Sequence, residues 1–257
     1  MNRTGMSVTC SHREKPSIEE QIVLYAKTGF DSVFLSCGVC DDFSKIPKWS
    51  QLARENAIIL EAVHAPSDKL NSLWEGNGEE CLSELFEIID YMKKGAVDKM
   101  VLHVIGGSLP ERNDCGKANF SRLEKYAKER HIHICYENSI SYEHLKLVLD
   151  NSDSYHGFCW DSGHNNCYLS GVPLLKIFKD RLLYTHLHDN FGDKDHHLLP
   201  FDGNIAWDKE IEDLKGYTGT LNLELSCMWK SEYNDMSYIE FTQKALERVT
   251  KIRKMTS

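Results

Sequence analysis

Residues 132–164 contain three consecutive patterns: Ile132-His-Ile-Cys-Tyr-Glu137-Asn138, then Tyr142-Glu-His-Leu-Lys-Leu-Val-Leu149, then Gly157-Phe-Cys-Trp-Asp161-Ser-Gly-His164. The first and third are short β-branched and aromatic runs that each end on a carboxylate, which reads as two strands. Between them, apolar residues recur at helical spacing with polar ones opposite, which reads as an amphipathic helix. Strand, helix and strand in a row make the repeating unit of a parallel sheet.

The same alternation extends in both directions. Strands are expected at 7–11, 32–36, 58–64, 100–105, 132–137, 157–161, 183–187 and 221–225, and helices after Ser17 and at 79–94, 120–130, 142–149, 172–179, 209–214 and 238–252. Ser17 is suited to cap the first helix, acidic residues occupy its opening turn, and Gly29 ends it. Leu82, Leu85, Ile88, Ile89 and Met92 form the buried stripe of the helix at 79–94. No Ser/Gly-rich linker divides the series, so residues 1–257 are expected to form a single α/β domain. Right-handed crossovers and the need to remove exposed strand edges make an eightfold (β/α) barrel the natural closure, and 257 residues is a usual length for one. An open doubly wound sheet fits less well, because Val8-Thr-Cys-Ser is not followed by a glycine-rich phosphate loop and Gly106-Gly107 is too little to make one.

Composition narrows the function classes. With 41% hydrophobic and 27% charged residues, the chain has the makeup of a globular protein rather than a disordered one. The opening Met1-Asn-Arg-Thr-Gly-Met-Ser-Val has no apolar stretch of the secretory type, and no later run is long enough to span a bilayer, so a cytoplasmic protein without a membrane partner is expected. Nine cysteines in that setting read as free thiols, including Cys37 and Cys40, whose C-x-x-C spacing has no second pair to complete a zinc ribbon. A net charge of −9 argues against a nucleic-acid partner.

The residues that chelate metals are unevenly placed. His64, His103, Glu137, Asp161 with His164, His186 with His188, and Glu224 stand at or just beyond the ends of six consecutive expected strands. In a barrel those ends meet at the carboxyl-terminal mouth. Several carboxylates gathered there are costly to bury unless a cation neutralises them, so a divalent metal is expected. Mixed imidazole and carboxylate donors suit Zn²⁺, Mn²⁺, Co²⁺ or Fe²⁺, with zinc or manganese preferred, and no cysteine is expected in the cluster.

Together, Glu137-Asn138, Trp160-Asp161-Ser-Gly-His164, His186-Leu-His-Asp189-Asn, Asp195-His196-His197 and Phe201-Asp-Gly-Asn-Ile-Ala-Trp207 resemble the xylose-isomerase-like TIM-barrel superfamily over nearly the whole chain. That superfamily holds sugar and sugar-phosphate isomerases and epimerases as well as type-IV AP endonucleases. Resemblance to the isomerase branch implies one metal on Glu137, Asp161, His186 and Glu224, with Glu137 and Glu224 as catalytic proton carriers and a small polyhydroxylated molecule as substrate. Resemblance to the endonuclease branch implies three metals: one on His64, His103 and Glu137, one on the same four residues, and one on His164, Asp195 and His197. The chain departs from the endonuclease pattern at His64-Ala-Pro-Ser, at Gly163-His164-Asn-Asn, and at His188, where that branch has Asn and many isomerase relatives have Lys. One to three ions per chain follow. His188, His12 and Trp229 are the expected substrate contacts, with Trp74 as a further aromatic wall and Trp207 as an anchor for a helix start. Arg112 and Lys194 do not make a recognisable phosphate site.

Overall fold

The computed structural model describes residues 2–8, 11–40 and 42–256. Its eight strands are β1 Thr4–Val8, β2 Ser32–Leu35, β3 Ile59–His64, β4 Lys99–His103, β5 His133–Glu137, β6 Gly157–Asp161, β7 Leu182–His186 and β8 Leu221–Leu223. They run parallel in the order β7-β6-β5-β4-β3-β2-β1-β8. The two ends of the sheet meet through a parallel bridge between Leu187 and Leu223, where Leu187 N–H donates to the Asn222 carbonyl at 2.7 Å and Glu224 N–H donates to the Leu187 carbonyl at 3.3 Å. This closes the expected barrel.

The helices are α1 Ile18–Thr28, α2 Ile46–Glu55, α3 Ser72–Glu75, α4 Glu79–Gly95, α5 Asp114–Lys128, α6 Tyr142–Asn151, α7 Ser162–Tyr168, α8 Leu174–Ile177, α9 Trp207–Leu214, α10 Ser231–Asp235 and α11 Tyr238–Thr256. α1 starts with a full capping box between Ser17 and Glu20 and stops at Gly29, whose φ of 108° is left-handed. Among the described residues, no helix is long and apolar enough to cross a membrane.

Several boundaries differ from the sequence expectation. β1 is Thr4–Val8 rather than 7–11, because Thr4, Gly5 and Met6 pair with β8; residues 9 and 10 lie outside the described residues. β4 ends at His103 instead of 105. α2 was not expected, since Pro47 opens it and its ten residues carry a narrow apolar stripe. α5 begins six residues before position 120, capped by the Asn113 side chain on Gly116 N–H. The helix expected at 172–179 is reduced to a single turn, α8, because Pro173 fixes its start, and a short 3₁₀ turn follows.

Two apolar layers hold this frame. The larger lies between the sheet and the helices, and the smaller fills the barrel axis with fully buried Phe34, Ala62, Val101, Cys135, Cys159 and Tyr184. Glu61, in β3 just before Ala62, is met by Arg3 and Lys99 at 3.4 Å each. The axis is thus packed beneath the carboxyl ends of the strands, and the side chains that end those strands have only the mouth to face.

Candidate metal centre at the barrel mouth

The strand ends converge as the sequence suggests. Ligand atoms of Glu137, Asp161, His186 and Glu224 all lie within 4.8 Å of one another, as do those of His64, His103 and Glu137, and those of His164, Asp195 and His197. Glu137 sits at the centre. Its Oε2 is 2.9 Å from His64 Nε2 and 2.8 Å from His103 Nε2, and its Oε1 is 2.6 Å from His186 Nδ1. Glu224 Oε2 approaches the same His186 Nδ1 at 3.2 Å, while its Oε1 accepts a hydrogen bond from Ser36 Oγ at 2.7 Å. Phe34 stacks on the His186 ring with centroids 4.7 Å apart and planes 12° from parallel, fixing the orientation in which Nδ1 faces both glutamates.

The outer group is organised around Asp195, whose Oδ2 is 3.0 Å from both His164 Nε2 and His197 Nε2. Asp161 holds two positions at once: it ends β6 and caps α7, accepting the His164 N–H on Oδ1. Asn138 aligns this turn by pairing its side chain with the Asp161 backbone on both sides, at 2.9 and 2.8 Å.

The histidines are oriented for ligation. His64 Nδ1–H donates to the Ala65 carbonyl at 2.8 Å, His164 Nδ1–H to the Asn138 carbonyl at 2.9 Å, and His197 Nδ1–H to the Glu224 carbonyl at 3.0 Å. A carbonyl can only accept, so Nδ1 carries the proton and Nε2 is the nitrogen turned to a carboxylate. A lone pair facing a carboxylate oxygen is repulsive unless a proton or a cation lies between them. His103 Nε2 and Asp195 Oδ1 are buried without a hydrogen-bond partner, although each lies close to groups of opposite character. Both observations fit a divalent cation.

Electrostatics agree. Burial disfavours charge on His164 and His186, yet Asp161 and Asp195 beside the first, and Glu224 and Glu137 beside the second, hold both imidazoles well above their ordinary range. His197, also opposed by burial but next to Asp195, is raised to about 9. Burial works against ionised Glu137, Asp195 and Glu224 too, but the facing imidazoles keep all three carboxyls below the usual range. His103, where burial dominates, is lowered. The mouth attracts positive charge, which protons or a divalent cation could supply.

Other expectations need correction. His12 is not offered to a substrate: it is buried, its Nδ1 accepts from Glu14 N–H at 3.1 Å and its Nε2 donates to the Met236 carbonyl at 3.3 Å. His188 is also fully buried, with Nε2 at 3.0 Å from both oxygens of Asp161, so its contact is with a residue of the mouth cluster. Trp74 packs in the core and donates Nε1–H to the Val104 carbonyl. Trp229 does stand at the rim, 47% exposed and edge-on to His196, with Lys194 Nζ 5.7 Å from its ring. Trp207 anchors the start of α9 by donating to Asp189 Oδ2 at 2.7 Å.

Sequence reasoning also missed Cys159, which lies within ligand distance of Glu137 and His186 from below. Burial, reinforced by Glu137, pushes its thiol far up, so it contributes a neutral group. Only the two-residue spacing to Asp161 could have signalled it, since both side chains point into the barrel. Cys37 and Cys40 are half-buried after β2; burial first and Glu224 second raise the Cys37 thiol.

The His188 ring lies flat against Gly163, where an added Cβ would come within 1.9 Å of His188 Cε1. Gly163→Ala is therefore expected to destabilise the protein by about 1–3 kcal/mol, as overpacked sites do. Thermal unfolding beside the wild type checks this; an unchanged midpoint would mean the ring can move aside freely.

The family described as xylose isomerase-like TIM barrel matches residues 22–248. Among curated relatives, y4fM of Sinorhizobium fredii is 41% identical over 116 residues, covering 41% of this chain and 37% of that protein. MJ1311 of Methanocaldococcus jannaschii is 28% identical over 235 residues, covering 81% and 79%. The match thus spans well under half the length of y4fM. Among solved structures, D-psicose 3-epimerase of Clostridium cellulolyticum H10, solved with D-tagatose, superposes with a TM-score of 0.80 at 14% identity over 99% of both chains. The IOLI protein with a bound zinc atom gives 0.77 at 15% identity over 99% of both. A fusion of a xylose isomerase-like TIM barrel with 4-hydroxyphenylpyruvate dioxygenase gives 0.79 at 15% identity, covering all of this chain and 44% of that one. At such identities the structures establish a shared fold.

Proposed function

The chain belongs to the xylose isomerase-like TIM-barrel family, and from that premise we propose that it is a divalent-metal-dependent isomerase or epimerase of a small polyhydroxylated carbonyl compound, a sugar or a close derivative. The observation that carries the reading is the convergence of two glutamates on one imidazole, Glu137 at 2.6 Å and Glu224 at 3.2 Å from His186 Nδ1. The epimerase and zinc-containing structures that share the fold point the same way.

Glu137, Asp161, His186 and Glu224 would hold the metal. When bound, it would polarise the substrate carbonyl and acidify the adjacent C–H. Glu137 and Glu224 act as the proton carriers. One carboxylate takes the proton from the carbon beside the carbonyl, the C–H electron pair becomes a C=C bond while the carbonyl π pair moves onto oxygen to give an enediolate, and a carboxylate returns a proton to carbon, the isomer also requiring the hydroxyl proton to pass between the two oxygens. Return to the opposite face of the same carbon gives an epimer; return to the neighbouring carbon gives an isomer. Ser36 fixes the Glu224 carboxylate through Oε1, and the packed barrel axis excludes water from below.

The test is deuterium uptake. Metal-loaded protein incubated in D₂O with a panel of ketopentoses and ketohexoses is expected to introduce deuterium at a carbon next to the carbonyl, read by mass spectrometry. Failure to exchange any of them would count against the reading.

A second reading, a phosphoester hydrolase with three metals, is favoured by one observation: the His64, His103, Glu137 and His164, Asp195, His197 groups are complete beside the central four. Three ions per chain by elemental analysis, with hydrolysis of a simple phosphodiester and no sugar exchange, would select it.

A further inference from the structure

The His188 imidazole is more tightly constrained than its neighbours. Its backbone N–H donates to Ser162 Oγ at 2.9 Å and its carbonyl accepts from that same hydroxyl at 2.7 Å, tying it to the first residue of α7. One face of the ring lies against Gly163 and the other stacks on His197, with centroids 4.1 Å apart and planes 14° from parallel. The ring cannot turn, and its single useful edge is Nε2. That nitrogen is equidistant, at 3.0 Å, from both oxygens of Asp161. Asp195 Oδ1 lies 3.6 Å from the same nitrogen and has no hydrogen-bond partner of its own.

Asp161 belongs to the central four ligands and Asp195 to the outer three. We infer that His188 is a positioning residue that couples the two ligand groups, its Nε2–H shared between Asp161 and Asp195. A bond divided equally between two oxygens at 3.0 Å is committed to neither, and the alternative acceptor is already within a small shift of the donor. Held by one donor on a ring fixed between Gly163 and His197, the two carboxylates keep a set separation, so whatever orders Asp161 towards Glu137, His186 and Glu224 also orders Asp195 between His164 and His197. The converse also holds, since coupling between two sites is reciprocal. His188 thus links the groups that separate one-metal from three-metal chemistry. This inference rests on the metal reading above but not on the identity of the substrate.

The test is a double-mutant cycle read in metal affinity, not in turnover. Protein stripped by chelation is titrated with Co²⁺, and the first equivalent is followed by its visible absorption. His188→Phe, which keeps a flat ring but no N–H, is expected to weaken that equivalent by about 10–100-fold, as loss of a group orienting a ligand does. His188→Ala should give the same loss if the N–H matters and packing does not. His188→Gln, which restores an N–H donor, should recover most of it. Asp195→Asn should weaken the first equivalent in the wild-type background and leave it unchanged on top of His188→Phe. Wild-type affinity in both the Phe and Ala variants, or independent and additive losses from His188→Phe and Asp195→Asn, would overturn the coupling. Wild-type protein that takes up no cobalt would overturn the metal reading itself and the coupling with it, whereas cobalt uptake without sugar exchange would remove the isomerase reading alone and leave the cycle to be judged on its own.

Discussion

Glu137→Gln is expected to lower the rate of deuterium exchange by about 10²–10⁴-fold, the usual contribution of a general acid–base group, and to strip metal from the purified protein as well. The two losses have one cause. Both oxygens of Glu137 are engaged, Oε2 with His64 and His103 and Oε1 with His186, so its negative charge faces three imidazoles at once. Glutamine keeps the volume, so packing survives, but its amide group replaces an acceptor with a donor and removes the charge. Elemental analysis and the exchange assay on one preparation check both effects. A variant that kept its metal and its activity would move the proton transfer, and the centre of the site, away from this residue.

The second large effect concerns stability. On the proposed reading, the carboxylates and imidazoles crowded at the mouth would be balanced by a bound cation, and a ligand that binds only the folded chain stabilises it by mass action. At free metal about a thousandfold above its dissociation constant the gain is about 4 kcal/mol. For a chain of this size each kcal/mol moves the midpoint by roughly 2–4 °C. Stripping the protein with a chelator is therefore expected to lower Tm by about 10 °C, with recovery on adding back zinc or manganese. A midpoint indifferent to the chelator would mean that the residues are balanced among themselves.

Much of the site was readable from the sequence because a barrel brings strand ends together whatever their separation along the chain. Once Glu137 and Asp161 are recognised as strand-terminal, their meeting with His64, His103, His186 and Glu224 follows from topology. What could not be read depended on side-chain direction and local turns. His12 and His188 sit beside strand ends as the ligands do, yet one turns under a loop to Met236 and the other turns inward to Asp161. α7 went unrecognised because Asp161, read as a ligand, is also its cap. Cys159 was hidden because its role depends on pointing to the same side as Asp161, two residues later. Ser36 lies one residue past the last residue of β2, and no motif marks its bond to Glu224.

The axial plug of Phe34, Ala62, Val101, Cys135, Cys159 and Tyr184 also governs traffic. With the barrel packed below among the described residues, the proposed reactant, product and metal would all pass through the mouth formed by the loops. Arrival and departure then compete: a product that lingers blocks the next reactant, and a ligand wide enough to cover the mouth traps what is already inside. An inhibitor that covers the mouth would for that reason be expected to slow loss of a bound metal as well as turnover.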